Sequence, residues 1–373
     1  MIRILHTADL HLGREFPFLR EKGREYRKQL LSTFEQIVNL AAQEHVSLLL
    51  VAGDLFDTNR LHGIIIARVL AAFRKLEAAG IRVCILPGTH DQYSEDSIYR
   101  FVRFPPNVTV FTPEDDFETF PDLDLTVYGK AFDGRLIGTS PLQGLALSRD
   151  SRLHVGLAHC SLKVEGMIEK DTMLLDRDGI AGSGLDYLAL GHWHSFRDCS
   201  QGRTKACYCG SPEPIYMDQK GAGSAALVTV NDRENVRVEA VRVGSKSFDE
   251  ITIDVGLVKS IEDITRVVAA RADPNLILKI TMEGLSGVDY TLDPHEVEDE
   301  LGGQFFCLRV LDRSFPKLED VPFGDFPEET VVGKYIRTMK AKIAQAEGED
   351  KAVCEEALKL GYALLQKGLQ VIE

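Results

Sequence analysis

The chain has 373 residues, with 43 Lys or Arg against 57 Asp or Glu and a net charge of −14 at pH 7. That length exceeds one average domain of ~100–200 residues, and 44% hydrophobic with 27% charged residues excludes a disordered or fibrous chain. An acidic balance also excludes nucleic-acid binding through overall charge, leaving a local basic strip or bound metal ions as the means of attracting a polyanion.

The first half alternates strands and helices. Residues 2–8 (IRILHTA) form an apolar run ending at Asp9. Helical spacing over 26–43 puts Leu30, Phe34, Ile37, Val38 and Ala41 on one face. Residues 46–52 (VSLLLVA) read as a buried strand ending at Gly53 and Asp54, 64–79 as a helix stopped by Gly80, and 81–86 (IRVCIL) as a third strand. This βαβαβ rhythm implies parallel strands with right-handed crossovers. Strands at 125–130, 153–158 and 186–190, with hairpin-like runs after them at 205–209, 225–230 and 236–243, suggest a second sheet packed on the first. From about Phe248 the order is a strand (250–255), a helix (261–271), a strand (276–282), a short helix (294–301) and a strand (305–311), the size of a small α/β domain. Pro316, Pro322 and Pro327 punctuate a linker. Helices at 330–346 and 351–369 complete the chain. The expected domains are therefore 1–245, a small α/β domain at 246–315, a Pro-rich linker at 316–327 and a helical segment at 328–373.

The chemistry lies in the turns at the ends of the buried strands. Strand one leads to Asp9 and His11, strand two to Asp54 and Asp57, strand three to Thr89, His90 and Asp91. The run at 153–158 leads to His159, and 186–190 leads to His192, Trp193 and His194. In parallel sheets, ligands bind at the carboxyl ends of the strands. Asp and His together are ligands of divalent transition metals. A lone Asp or His at a turn caps a helix or satisfies a loop. Five such turns in succession point instead to a metal centre. Gly53, Gly88 and Gly191, ahead of Asp54, His90 and His192, let the backbone bend sharply.

The motifs DLH, GDLFD, GTHD, a lone His and GHWH, in this order, resemble those of the calcineurin-like metallophosphoesterase superfamily. The variants HTADLHLG, AGDLFD and LALGHWH look most like its DNA-repair exonuclease branch, the SbcD-type nucleases. The resemblance covers about residues 1–215. It implies an α/β fold: a two-sheet sandwich flanked by helices, with a small α/β cap domain and a helical C-terminal tail. It further implies two divalent ions, manganese first, with iron, zinc or nickel as alternatives. Asp9, His11, Asp54 and His194 would hold one ion. Asp54 would bridge to the second, together with His159 and His192. Thr89 stands where the family has an asparagine ligand, which is a departure. His90 matches the family's catalytic histidine, Asp91 would orient it, and Asp57 would support a ligand from behind. The implied chemistry is attack of activated water on a phosphodiester, with no Ser or Cys nucleophile.

Residues 14–28 (REFPFLREKGREYRK) combine basic and aromatic residues directly after the first motif. Arg14, Arg20, Arg24 and Arg27 are the candidate DNA contacts, against the plainer reading of a solvated loop and helix start. Cys199, Cys207 and Cys209 lack the paired CxxC spacing of structural zinc and read as buried small side chains. Two apolar stripes in the tail, Val332, Tyr335, Ile336, Met339 and Ile343, then Leu358, Tyr362, Leu365 and Leu369, read either as part of the chain's own core or as a docking element, with partner binding favoured. The resemblance names that partner as a coiled-coil SMC-like ATPase and adds DNA and a second copy of the chain. Seven scattered cysteines, no secretory signal and no apolar run near ~18 residues imply a cytoplasmic protein without a membrane span. The leading function is a metal-dependent DNA nuclease subunit. The alternatives are a phosphoesterase of the same fold acting on a small nucleotide or cyclic phosphodiester, and a catalytically weak scaffold for the ATPase.

Overall fold

Runs of apolar residues too long to alternate must be covered on both faces, and the computed structural model shows how this is done. It describes all residues except 133, 135–137, 169, 218–219, 259, 287–293, 317–325, 328 and 368–373, and it divides into two units, Met1–Phe248 and Asp249–Glu373.

In the first unit, β1 (Ile2–Thr7) leads to α1 (Gly23–Gln43), whose buried Tyr26, Leu30, Phe34, Ile37, Val38 and Ala41 recur at three-to-four spacing. Next come β2 (Leu48–Ala52), α2 (Gly63–Ala78), β3 (Arg82–Leu86), α3 (Ile98–Phe101) and β4 (Val108–Val110). The Phe34 and Phe73 rings, 5.7 Å apart, join α1 to α2. The chain continues through β5 (Phe117–Phe120), β6 (Leu125–Gly129), β7 (Leu153–His159), β8 (Ser161–Leu162), β9 (Leu174–Leu175), α4 (Arg177–Gly182), β10 (Tyr187–Gly191), β11 (Arg197–Asp198), β12 (Lys205–Tyr208), β13 (Ser224–Asp232) and β14 (Asn235–Arg242).

Two six-stranded sheets result, in the orders β14-β13-β1-β2-β3-β4 and β11-β12-β10-β7-β6-β5. The strands β1 to β4 are parallel, as are β6, β7, β10 and β12. Ile4, Leu48, Leu50 and Cys84 of one sheet and Val127, Val155, Leu157 and Tyr187 of the other share one buried core, so the sheets pack face to face. The two-sheet sandwich expected from the sequence is thus present. One assignment is corrected. The runs at 225–230 and 236–243 extend the first sheet, not the second: β13 lies antiparallel to β1, with Ile4 opposite Val228. Without them β1 would be an open edge of unpaired backbone groups. The strand left at the edge, β14, buries Val236, half-buries Val238 and Val241 and exposes the rest, as a solvated edge strand does.

In the second unit, β15 (Ser247–Asp254), α5 (Ile261–Ala269), β16 (Asp273–Glu283), β17 (Leu285–Ser286), α6 (Pro294–Leu301), β18 (Phe305–Asp312) and β19 (Phe315–Pro316) precede α7 (Val331–Gln345) and α8 (Gly348–Lys367). β16 and β18 pair in parallel, and Ile264, Val268, Leu278, Ile280, Val297 and Val310 close a separate small core. The expected linker at 316–327 lies mostly outside the described residues. The tail helices differ from expectation in one respect. Their two stripes cover each other: Ile336, Met339 and Leu358 are buried, with Val332, Tyr335, Ile343 and Tyr362 packed around them. Leu369 lies outside the described residues.

Candidate metal centre

Three of the strands that run into the candidate site, β1, β2 and β10, end on sharp turns. Asp9, His11, Asp54 and His192 have φ of +52°, +46°, +50° and +95°. Left-handed backbone at a non-glycine residue costs roughly 1–3 kcal/mol and persists only where the surroundings impose it. Here the turns after β1 and β2 hold one another: Asp9 N donates to Gly53 O at 3.1 Å, and His11 N to Asp54 O at 3.0 Å. Gly53 itself sits at φ +93°, and a Cβ on it would fall 2.0 Å from Nδ1 of His159. The missing side chain is what lets the ring of His159 lie across the turn.

The carboxylates of Asp9 and Asp54 and the rings of His11, His159 and His194 are buried. Among the described residues, ligand-type atoms converge in three groups: the buried Asp9, His11, His194 and Asp9, Asp54, His159, and at the more exposed lip His11, Asp57, His90. Nε2 of His11 and of His159 lie 3.7 and 3.3 Å from Asp54 Oδ2, and Nε2 of His194 lies 3.8 Å from Asp9 Oδ1. Nδ1 of His159 donates to Ala52 O at 3.0 Å, and Nδ1 of His11 donates to Asp57 Oδ1 at 3.0 Å. Each ring therefore presents Nε2 to the cluster. Nε2 of His11 and His159 are buried and make no hydrogen bond among the described residues. Two buried carboxylates faced by imidazole Nε2 atoms, whose protons a cation can displace, fit divalent transition-metal ions.

The electrostatics arise from burial and crowding. Burial pushes Asp9 up to about 6, against the pull of His159. Burial would also raise Asp54, but His159, His11 and His90 hold it well below the usual carboxylate range. Burial disfavours charge on His159, yet Asp54 and Asp9 outweigh it and raise its pKa to about 10.

The remaining predicted residues fall at varied distances from this cluster. Thr89 is half-buried, its Oγ1 3.4 Å from Asp54 Oδ2. His90 is exposed; its backbone N donates to Asp54 Oδ1 at 2.9 Å, and its ring lies 4.6 Å from that of His11. Asp91 does not orient His90. Its fully buried carboxylate accepts from Phe56 N, Gly88 N and the Tyr99 hydroxyl at 3.0, 2.7 and 2.6 Å, so it ties the third turn to the second. The group facing Nδ1 of His90 is Asp57, whose backbone O is 3.3 Å away. Asp57 Oδ1 also accepts from Arg14 at 2.8 Å.

His192 stands outside all three converging groups. Its Nε2 lies 3.2 Å from Asp171 Oδ2, and its ring 5.1 Å from that of His159. Arg14 is occupied with Asp57 and lies 4.3 Å over the Tyr216 ring, which stacks on His194. Arg27 pairs with Glu15 at 3.3 Å, while Arg20 and Arg24 are exposed. Cys199, Cys207 and Cys209 are buried thiols, and none joins a metal-type group among the described residues. Asp171 and Tyr216 had no signal in the sequence, since neither stands at a strand end nor belongs to a motif.

Residues 2–196 match the profile of the family described as calcineurin-like phosphoesterase. The chain belongs to that family. The family is named for the hydrolysis of phosphoester bonds. The chain is 24% identical over 276 residues to the "Uncharacterized metallophosphoesterase YhaO" of Bacillus subtilis, covering 72% of this chain and 66% of that one. It is 28% identical over 273 residues to "DNA double-strand break repair protein Mre11" of Aeropyrum pernix, covering 69% and 64%. It is 26% identical over 210 residues to the protein of the same name from Sulfurisphaera tokodaii, covering 52% and 49%. The chain thus spans less than two thirds of the length of each of these relatives. No described helix is long and apolar enough to cross a membrane.

Proposed function

We propose that this calcineurin-like phosphoesterase is a two-metal phosphodiesterase acting on DNA, the nuclease subunit of a double-strand-break repair complex. The observation that carries the reading is the buried Asp54 carboxylate, faced by Nε2 of His11 and His159 from two sheets. Asp9, His11, Asp54 and His194 hold the first ion; Asp54, Thr89, His159 and His192 hold the second. When bound, two divalent ions at such a cluster, manganese first among the candidates, lower the pKa of water and offset phosphodiester charge.

The chain's own residues supply the rest. Asp54 and Asp9 keep a fixed negative core that only cations or protons can balance. His90, exposed at the lip and held from behind by Asp57, stabilises the developing charge or protonates the leaving oxygen. Arg20 and Arg24, exposed in the segment after the first motif, offer phosphate contacts on a chain whose net charge of −14 otherwise repels DNA. The helical hairpin of α7 and α8 is the docking element for a coiled-coil ATPase, with Val331, Val353 and Leu360 among its exposed apolar residues. The chain works as a homodimer in the cytoplasm. Thr89 favours a second reading, a catalytically weak scaffold for the same ATPase, because a hydroxyl replaces an amide oxygen next to Asp54.

A manganese-dependent assay on linear, hairpin and single-stranded DNA, beside a chromogenic phosphodiester, tests this. Cleavage of DNA supports the nuclease. Cleavage of the small ester alone supports a small-substrate phosphoesterase, and no cleavage supports the scaffold.

A further inference from the structure

We infer that Asp171 is a positioning residue of the second metal site, fixing the ring of His192 so that Nδ1, not Nε2, is its ligand atom. The inference rests on the two-metal reading and adds to it a residue outside every motif. His192 is held at two points. Its backbone N–H points at Asp9, 3.0 Å from both carboxylate oxygens, on a left-handed turn. Its ring is held by Asp171, whose Oδ2 lies 3.2 Å from Nε2. An ionised carboxylate only accepts hydrogen bonds, so Nε2 carries the proton and Nδ1 keeps the lone pair. His11 and His159 are the reverse. Their Nδ1 protons go to Asp57 and to Ala52 O, which leaves Nε2. Three candidate ligand histidines thus use two tautomers, and the odd one depends on Asp171.

Asp171 is itself held in place. The Ser161 hydroxyl donates to Oδ2, and Thr172 N donates to Oδ1 at 2.6 Å. Ser161 lies two residues beyond His159, so the end of β7 sets both a ligand and the group that aims its neighbour. Both oxygens of Asp171 are engaged by these partners and by His192, which fits an orienting role. Its contact matches the carboxylate–imidazole pairs that orient metal-bound histidines, whose loss typically weakens metal binding by ~10–100-fold.

The test uses the full chain stripped of metal, titrated with manganese alone, with Asp171→Ala and Asp171→Asn beside the parent. Asp171→Ala should weaken one of two sites by ~10–100-fold and leave the other within about twofold. Asp171→Asn, whose amide oxygen still accepts from Nε2–H, should recover much of that loss, which a mere loop anchor would not predict. Nitrogen-15 NMR of the metal-free parent should find His192 protonated on Nε2, a readout that needs no variant to fold. A His192 proton on Nδ1, or variants that bind both ions as the parent does, would overturn the inference and leave the two-metal reading standing. A parent that binds no manganese would overturn that reading and the inference with it.

Discussion

Gly53 is where the backbone and the metal centre constrain one another most tightly, and Gly53→Ala is the sharpest perturbation of the site that leaves every ligand in the sequence. At φ +93° an L residue is strained, and the added methyl would sit 2.0 Å from Nδ1, 2.4 Å from Cγ and 2.8 Å from Cβ of His159. The backbone strain alone costs roughly 1–3 kcal/mol. Overpacking in a filled interior adds about 1–3 kcal/mol. If the ring yields, its 3.0 Å hydrogen bond to Ala52 O is lost, a further ~0.5–1.5 kcal/mol. The sum is roughly 2.5–7.5 kcal/mol, or a fall in melting midpoint of about 5–30 °C for a unit this size. Moving the ring also carries Nε2 away from Asp54 Oδ2, so the second ion should bind more weakly than the first. Gly63→Ala is the control: nothing lies within 4 Å of its added Cβ, and φ there is not left-handed. Thermal unfolding of the metal-free protein, and then manganese titration, measures both effects. A Gly53→Ala protein that melts within about 2 °C of the parent and binds two ions equally well would show that this close approach does not constrain the site.

Four further outcomes are expected. His90→Ala should keep both metal sites, measured by metal content, while turnover falls by ~10² or more, the usual scale for a lost acid or charge stabiliser; unchanged turnover removes His90 from the chemistry. Thr89→Asn should tighten the second site and raise activity at low manganese, since an amide oxygen is a better and longer-reaching ligand than a β-branched hydroxyl; two sites of unchanged affinity would show that the hydroxyl beside Asp54 suffices. Burial lowers the pKa of His6 to about 3, against the opposing carbonyl of Leu190. Its folded pKa is therefore below the unfolded value near 6.5, so its contribution is complete above about pH 6.5 and declines by up to ~1.4 kcal/mol per pH unit as the pH falls toward 3; a His6→Gln variant with the same pH dependence of unfolding as the parent contradicts this. Deleting residues 328–373 should leave the melting midpoint of the first unit within about 2 °C while abolishing co-purification with a coiled-coil ATPase, and a collapse of the first unit's transition would make α7 and α8 part of its core.

The sequence by itself determined whatever is local. Apolar runs too continuous for one-sided burial had to be strands covered on both faces, and helical spacing between them required crossovers. In a parallel sheet this places every strand's carboxyl end on one edge, so Asp9, His11, Asp54, His159 and His194 were legible as a cluster before any distance was known. The tertiary structure alone decided which distant groups meet. Asp91 reads as the partner of the adjacent His90, yet its carboxylate turns inward to Phe56 N and Tyr99, because a buried acid needs several donors and the interior supplies them. Asp57 takes that place beside His90 and also holds His11 and Arg14. Asp171 reaches His192 because the Ser161 hydroxyl of β8 and its own neighbour Thr172 N hold its carboxylate in place. The strand β13 joins the first sheet because β1 has an edge to fill, and the stripes of α7 and α8 cover one another because each is the nearest apolar surface. Spacing along the chain records which face a residue points to. It does not record what comes to meet that face, since this depends on chain topology and on polar groups that must find partners once water is excluded.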